Sequence, residues 1–377
     1  MKKNIYDVII VGLGAMGSSS SYYLSKKGAK VLGLDIYRPP HELGSSHGHT
    51  RVIREAYHEG TSYVPIVQRA YKLWNELDNE SDEKLILEYG GLYFGNNTNY
   101  INNAKKSAKK YNIPLIEYSS TAIKEKFKVF NPSEKFNILF EKRSGAVFPE
   151  KAISTFLSKA QLLGSTHNYN EKVIAWEKVS DLYKISTDKE IYYSKKLIFS
   201  SGAWLKNLVP KLNLPLKIER QVLFWFSPKN SQELFNYPTL PNTGWDLDEG
   251  IEFYTQPNIE DKGFKVAKHH DGEFIEENDL KRDSNEKDLL EVREFLEEYI
   301  PSANGKLLDS RVCVYTDTPD FDFLIDFYRD DENIIICSPC SGHGFKFAPA
   351  IGEICSELIT KKQSNYDISI FSTKRFK

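Results

Sequence analysis

The sequence predicts an α/β fold (α+β overall): a parallel-stranded domain carrying a second domain built on a mixed antiparallel sheet. Three observations predict it. The β-branched run Asp7–Val11 leads directly into Gly12-Leu13-Gly14-Ala15-Met16-Gly17 and a helical stretch. Apolar, strand-like runs recur in mid-chain, at Lys195–Phe199, and near the end, at Asn333–Ile336; such runs suit parallel strands buried on both faces. Between them, residues 216–270 alternate aromatic and polar side chains, as in Val222-Leu223-Phe224-Trp225-Phe226 and Ile251-Glu252-Phe253-Tyr254. That is the period of an antiparallel sheet.

The elements follow in order. Ser18–Lys27 reads as a helix stopped by Gly28, and Lys30–Leu34 as a strand ending on Asp35. Residues 36–60, rich in Gly, His and Ser, read as a loop plus a short helix. Tyr63–Leu77 has helical periodicity, and residues 85–145 mix short strands with a lysine-rich amphipathic helix, Ile101–Lys110. Ala152–Leu163 is helical, Lys195–Ala203 is a strand ending in a small-residue turn, and Glu286–Tyr299 is an acidic helix closed by Pro301. Asn333–Ile336 feeds a helix over Pro349–Lys361 through Ser341-Gly342-His343-Gly344. Residues 1–85, 146–215 and 305–377 are therefore expected to form one discontinuous nucleotide-binding domain, and 86–145 with 216–304 the second.

At 377 residues, 40% hydrophobic and 13% aromatic, the chain can bury a sizeable core. A net charge of -2 from 50 basic and 52 acidic residues excludes a nucleic-acid footprint and a polybasic membrane patch. No run matches a signal-peptide core or the roughly 20 apolar residues of a membrane span. Four cysteines do not make a disulfide framework. These features place the chain in a reducing, cytoplasmic compartment.

The glycine run has a mechanical reading. Gly12 allows the tight turn, Gly14 lets backbone approach a pyrophosphate, and Gly17 lets the helix lie close on the strand. The helix N-terminus offers unpaired N–H groups and a positive dipole end. Asp35, at the end of the second strand, is placed to accept hydrogen bonds from ribose hydroxyls and disfavours the 2′-phosphate of NADP. This is a Rossmann-like dinucleotide site. Both NAD and FAD carry ADP, but the strand at Lys195–Ala203 and the glycine-to-helix element at Ile334–Ile351 favour FAD. The second helix would direct its N-terminus at the negative charge of a reduced flavin.

The stretch Pro39-Pro40-His41 with Gly44-Ser45-Ser46-His47-Gly48-His49-Thr50-Arg51-Val52-Ile53-Arg54-Glu55-Ala56-Tyr57 resembles the monomeric sarcosine oxidase and N-methyltryptophan oxidase family. So do Gly263-Phe264-Lys265 with His269, Val312-Cys313-Val314-Tyr315-Thr316, Ser341-Gly342-His343-Gly344-Phe345-Lys346-Phe347, and Asp367-Ile368-Ser369-Ile370-Phe371. The matches run in order over essentially the whole chain.

The resemblance implies an FAD-dependent oxidoreductase acting on CH–NH bonds, with a Rossmann-like FAD-binding domain and a mixed-sheet substrate domain. Cys313 matches the cysteine bonded to the flavin 8-methyl position, so FAD is expected to be covalent. Arg54 and Lys346 match the pair that clamps the substrate carboxylate, a task suited to a guanidinium and an ammonium converging in a pocket. Arg51 is expected one helical turn from Arg54, near the flavin ring. Lys265 matches the lysine that promotes oxygen reduction by stabilising the negative charge that develops; without the resemblance it reads as a strand lysine facing water. Tyr254, His269 and Tyr315 match residues lining the substrate pocket, and Ser45, Gly342, His343, Gly344 and Phe345 join the flavin surroundings.

The implied reaction is oxidation of a secondary (N-methyl) amino acid such as sarcosine. Hydride passes to flavin, O2 is reduced to H2O2, and the imine is hydrolysed. The alternative is a related dehydrogenase, or an oxidase of N-methyltryptophan or a cyclic or glycated amino acid. The partners implied are a small amino acid and O2, with no nucleic acid and no membrane, and a monomer is expected. No metal is expected: Cys337-Ser338-Pro339-Cys340 has C-x-x-C spacing but no second pair, Cys355 being alone in a helix, and His41, His47 and His49 lack ligand spacing. The chain departs from the family at Pro339, a glycine there, at Glu55, a histidine there, and at Phe253, Thr255 and Gln256. Most of these changes are expected in the pocket wall, so the reaction class transfers more safely than the substrate.

Overall fold

The computed structural model describes residues 5–96, 98–247, 251–276 and 279–376. Its first sheet is built outward from β1 (Ile5–Val11), which is followed by α1 (Ala15–Lys26) and β2 (Val31–Leu34). β1 is flanked in parallel by β2 and by the strand Ile191–Phe199. The second half of Ile191–Phe199 pairs in parallel with Asp331–Ser338, and its first half pairs antiparallel with Leu182–Thr187. Val11, Leu34, Phe199 and Ser338 thus end at one edge of the sheet. The loops after them converge there, at the carboxyl ends of parallel strands where α/β folds open a crevice.

Helix α1 begins at Ala15, earlier than the expected Ser18, because Gly17 is already inside its first turn. A Cβ on Gly17 would collide with the carbonyl oxygen of Gly12, so the helix lies on the turn only with glycine there. Gly12 itself has φ +92°, in the left-handed region that favours glycine. The other face of α1 packs on the helix Ala348–Lys361, where Gly352 admits the buried Ser19. In that layer Cys337 and Cys355 meet at 3.6 Å between sulfurs, so Cys355 is alone in sequence but not in space.

Among the described residues the second sheet has nine strands. The long strand Lys217–Ser227 pairs along its length with Lys306–Asp317, setting Gln221 opposite Cys313 and Glu219 opposite Tyr315. Its other edge carries Phe264–His269, followed by Ile251–Gln256, Asn242–Leu247, Gly91–Gly95, Asn137–Glu141 and Leu115–Tyr118. The pair Asn242–Leu247 and Gly91–Gly95 is parallel, which makes the sheet mixed. Lys306–Asp317, placed by its position in sequence with the nucleotide-binding segments, hydrogen-bonds into this second sheet. The helix Glu286–Tyr299 covers it, opened by an Asn285–Asp288 capping box and stacking Phe295 on Phe253 at 4.3 Å between centroids.

The short helix expected within residues 36–60 is not formed. Arg51–Ile53 is instead a strand paired with Gly145–Val147, as its β-branched pair Val52-Ile53 favours. Arg51 and Arg54 are therefore not one helical turn apart. Among the described residues no helix is long and apolar enough to cross a membrane.

Candidate active site

A cavity of about 660 Å³ opens at the carboxyl edge of the first sheet and continues beneath the second. Its first stretch is lined by Gly12, Gly14, Ala15, Met16, Asp35 and the Ser200–Trp204 turn. No side chain caps α1 and no acidic residue lies in its first turn, so its free N–H groups and dipole are uncompensated there. The buried Asp35 carboxylate accepts from Leu13 N at 2.6 Å and Tyr37 N at 2.9 Å. Burial pushes its pKa up, against those two backbone donors. The hydroxyls of Ser201 and Ser338 line the cavity buried and without a partner among the described residues. An anion-binding helix end, an acid at the ribose position and orphaned hydroxyls along one trough fit a dinucleotide. Gly17 does not line the cavity; it supports the turn from behind.

Beyond this stretch the cavity meets Ser45, Arg51, Cys313 and Tyr315. Arg51 donates to Thr50 O at 3.0 Å, Ser45 O at 3.2 Å and Cys313 Sγ at 3.5 Å. The thiol of Cys313 thus faces the cavity beside a guanidinium. Tyr254 lines the same region, and His269 Nδ1 shares a hydrogen bond of 3.1 Å with the Tyr315 hydroxyl. Burial, then neighbouring His270, holds His269 well below the usual imidazole pKa, so it is neutral. Gly342, at φ +74°, leaves room for the His269 and Tyr315 rings, which a Cβ would strike.

Gly342–Lys346 closes one wall. Lys346, 6% exposed, donates to His343 O at 2.7 Å and to the Tyr57 hydroxyl at 3.3 Å. Tyr57 also meets His343 Nδ1 at 2.6 Å. The Tyr57 ring lies near both cations, with Arg54 Cζ 5.3 Å and Lys346 Nζ 5.2 Å from its centroid. Arg54 and Lys346 both line the cavity, so the two basic residues singled out from sequence converge. Burial, then Arg54, lowers the Lys346 pKa to about 7.

Lys265 is 1% exposed and lies behind the cavity wall, donating to Gly48 O at 2.9 Å and Thr50 O at 2.7 Å over the Trp225 ring. Burial, then Arg51, holds its pKa well below the usual lysine range. It is not the water-facing strand lysine that residue type alone implies.

Several departures lie elsewhere than expected. Glu55 pairs with Arg143 at 3.0 Å, away from the cavity. Thr255 binds Thr243 at 2.6 Å, and Gln256 accepts from Thr50 at 2.8 Å. Of that group Phe253 and Pro339 do line the cavity.

Residues that the sequence did not single out are equally close. Arg54 Nη2 donates to Glu59 Oε1 at 2.6 Å and lies 3.1 Å from His58 Nε2. Burial pushes the Glu59 pKa up, but Arg54, His58, His343 and Lys346 together hold it well below the usual carboxylate range. Tyr100 and Glu252, unlike His58 and Glu59, line the cavity at this end. Behind Tyr315, one ligand-type atom each from Glu219, His270 and Asp317 lie within 4.8 Å of one another, with Glu219 accepting from His270 Nδ1 at 3.0 Å. Side-chain identity signals none of these, because they come from separate strands and turns.

Residues 7–358 match the family model described as DAO, FAD dependent oxidoreductase. The chain is 37% identical to the monomeric sarcosine oxidase of Arthrobacter sp. (strain TE1826), across 99% of this chain and 97% of that one. It is 35% identical to the N-methyl-L-tryptophan oxidase of Yersinia pseudotuberculosis serotype O:1b (strain IP 31758), across 99% and 100%. In fold it resembles the L-proline dehydrogenase of P. horikoshii, with a TM-score of 0.86 at 20% identity over 99% and 98% of the chains. It likewise resembles the open form of NikD, an unusual amino acid oxidase essential for nikkomycin biosynthesis, with a TM-score of 0.84 at 20% identity over 97% of each chain. The fold class is thus a Rossmann-like FAD-binding fold joined to a mixed sheet, and the dinucleotide that the trough fits is FAD. The chain belongs to the DAO family of FAD-dependent oxidoreductases.

Proposed function

We propose that the chain is an oxidase of secondary, N-methyl-type amino acids such as sarcosine, producing an imine that water hydrolyses, and hydrogen peroxide. The observation that carries this reading is the pair of buried cations, Arg54 and Lys346, lining one cavity with Arg51 and Cys313. A carboxylate is the anion such a pair suits, through a planar fork and a point charge. The names of the two relatives support the substrate class. FAD, when bound, supplies the two-electron acceptor that takes hydride from the substrate and delivers the electrons to O2.

The residues then divide the work. Arg54 and Lys346 hold the carboxylate; Tyr254, His269 and Tyr315 wall the amine. His269 is neutral, so the pocket favours an unprotonated amine without a dedicated base. Lys265 places a positive charge behind the Gly48–Thr50 backbone for oxygen reduction, and Cys313 is the covalent tether. The two sheets support an FAD-binding part (1–85, 146–215, 305–377) and a substrate part (86–145, 216–304), with Lys306–Asp317 shared by pairing into the substrate sheet. The name of the Arthrobacter relative, a monomeric sarcosine oxidase, favours a monomer, and four free thiols favour a reducing, cytoplasmic setting.

The test is peroxide production by purified protein across sarcosine, N-methyltryptophan, proline, a glycated amino acid and the primary amino acids glycine and tryptophan. Turnover of an N-methyl amino acid above the primary amino acids supports the reading. Oxidation confined to primary amines, or protein carrying no flavin, overturns it.

A further inference from the structure

The end of the cavity beside Arg54 contains an acidic group that neither carboxylate capture nor cofactor binding uses. Glu252 lies on the strand Ile251–Gln256, on the same face as Tyr254 and two residues along, roughly 7 Å in extended chain. Its carboxylate has no hydrogen bond or ion pair with any described residue. It responds only to burial and to the charges of Glu59, Arg54 and Asp246. Burial, then Glu59, outweighs the pull of Arg54 and pushes its pKa up to about 8, so the carboxyl has no cation close enough to hold it ionised.

A second orphaned group faces the same end. The Tyr100 hydroxyl is buried with no hydrogen-bond partner, in a residue 5% exposed. Its ring is held 4.0 Å from that of His58, and the hydroxyl sits over Gly244, where a Cβ would collide with it. Gly244 pairs with Tyr254 in register, so this hydroxyl lies over the strand next to the one that carries Glu252, close enough for the two groups to interact electrostatically. Tyr100, Gly244 and Glu252 all line the cavity.

The charges do not close for a simple substrate. Arg54 and Glu59 already balance each other at 2.6 Å. Lys346 is then offset by the incoming carboxylate, which leaves the half-buried Glu252 carboxyl facing no free cation and therefore protonated near neutral pH. A substrate that also brings a cation supplies the charge that ionises it.

We infer that Glu252 and Tyr100 form a subsite for a second, cationic group on the substrate, an ammonium or guanidinium on a chain of three or four carbons. The substrate class is then N-alkylated basic amino acids. This rests on the amino-acid oxidase reading above, and the experiment separates the two.

The holoenzyme is assayed for peroxide with Nα-methyl-lysine, with the neutral analogue Nα-methyl-norleucine, which lacks the ammonium, and with sarcosine. The expected kcat/KM for Nα-methyl-lysine exceeds that for the neutral analogue by about 100-fold, the cost of leaving a buried acceptor unpaired. Glu252→Gln should cut this ratio by at least about tenfold, and Tyr100→Phe by less. The binding of unmethylated lysine and norleucine, read from the visible flavin spectrum of the wild type, checks the preference without turnover or variants. Equal or reversed preference, or a ratio unchanged in Glu252→Gln, overturns the subsite. Turnover of sarcosine with rejection of both longer substrates also overturns it while leaving the oxidase reading intact. No turnover of any secondary amino acid sinks the oxidase reading, and the subsite falls with it.

Discussion

Arg54, which lines the cavity, donates to Glu59 at 2.6 Å, so the cation proposed to receive the substrate carboxylate already has a protein carboxylate. Substrate must share or replace that partner. Glu59→Gln leaves the buried guanidinium uncompensated, which is expected to cost about 3 kcal/mol of stability. It should also bind small carboxylates more tightly. The check is thermal unfolding with and without acetate: the variant melts lower than wild type, and acetate restores more of its melting temperature. An equal acetate response in both proteins argues against competition for Arg54.

Lys346 gives a pH signature. With its pKa lowered to about 7 by burial and Arg54, its charge is complete below that pH and lost as pH rises through it. Acetate carries no titrating amine, so its dissociation constant isolates this group. It should rise by about tenfold per pH unit at most once Lys346 has deprotonated. Lys346→Met should bind acetate weakly and with a flat pH profile. A flat profile in the wild type would show that Lys346 does not contribute its charge.

Cys313 faces the cavity with Arg51 3.5 Å from its sulfur. If it is the tether, acid-precipitated wild type keeps its yellow colour in the pellet, and Cys313→Ser releases the colour to the supernatant. Colour released from the wild type would exclude a covalent bond at this residue.

Asp317 is 3% exposed beside Glu219, and burial, then that carboxylate, raises its pKa to about 9. The unfolded chain releases this proton near the ordinary 3.8, while the folded chain keeps it. The resulting stability is intact below that value and falls as pH climbs towards about 9. Asp317→Asn keeps a donor towards Glu219 and removes the titration. Its melting temperature should gain on the wild type by a few degrees between acidic and alkaline buffer. A constant difference across pH would mean that Asp317 is ionised in the folded protein.

The nucleotide half was legible because its chemistry is local. A strand, three glycines, a helix and Asp35 fit in one short stretch, and each has a backbone reason to be there. The substrate half was legible only where residues matched a known pattern. Glu59 is five residues from Arg54 and still went unread, since an ion pair across a turn leaves no periodicity. Glu252 was visible as one polar position of an alternating strand, but alternation does not say which face lines a cavity. Glu219, His270 and Asp317 meet through the pairing of Lys217–Ser227 with Lys306–Asp317, and register across that pair is not written in either strand alone. Arg51 was misplaced for a related reason: a Gly/His-rich run was read as helix where Val52-Ile53 found a strand partner in Gly145–Val147.

The central claim is that amine oxidation and oxygen reduction share this cavity. It is tested most directly by mixing the flavin-loaded protein with an N-methyl amino acid without oxygen, then admitting oxygen. The visible flavin absorbance should bleach with substrate and return with oxygen, yielding one equivalent of peroxide. Lys265→Met should slow the return by about 100-fold or more while sparing the bleaching. Bleaching that oxygen fails to reverse in the wild type would make the protein a dehydrogenase, and no bleaching with any secondary amino acid would contradict the account.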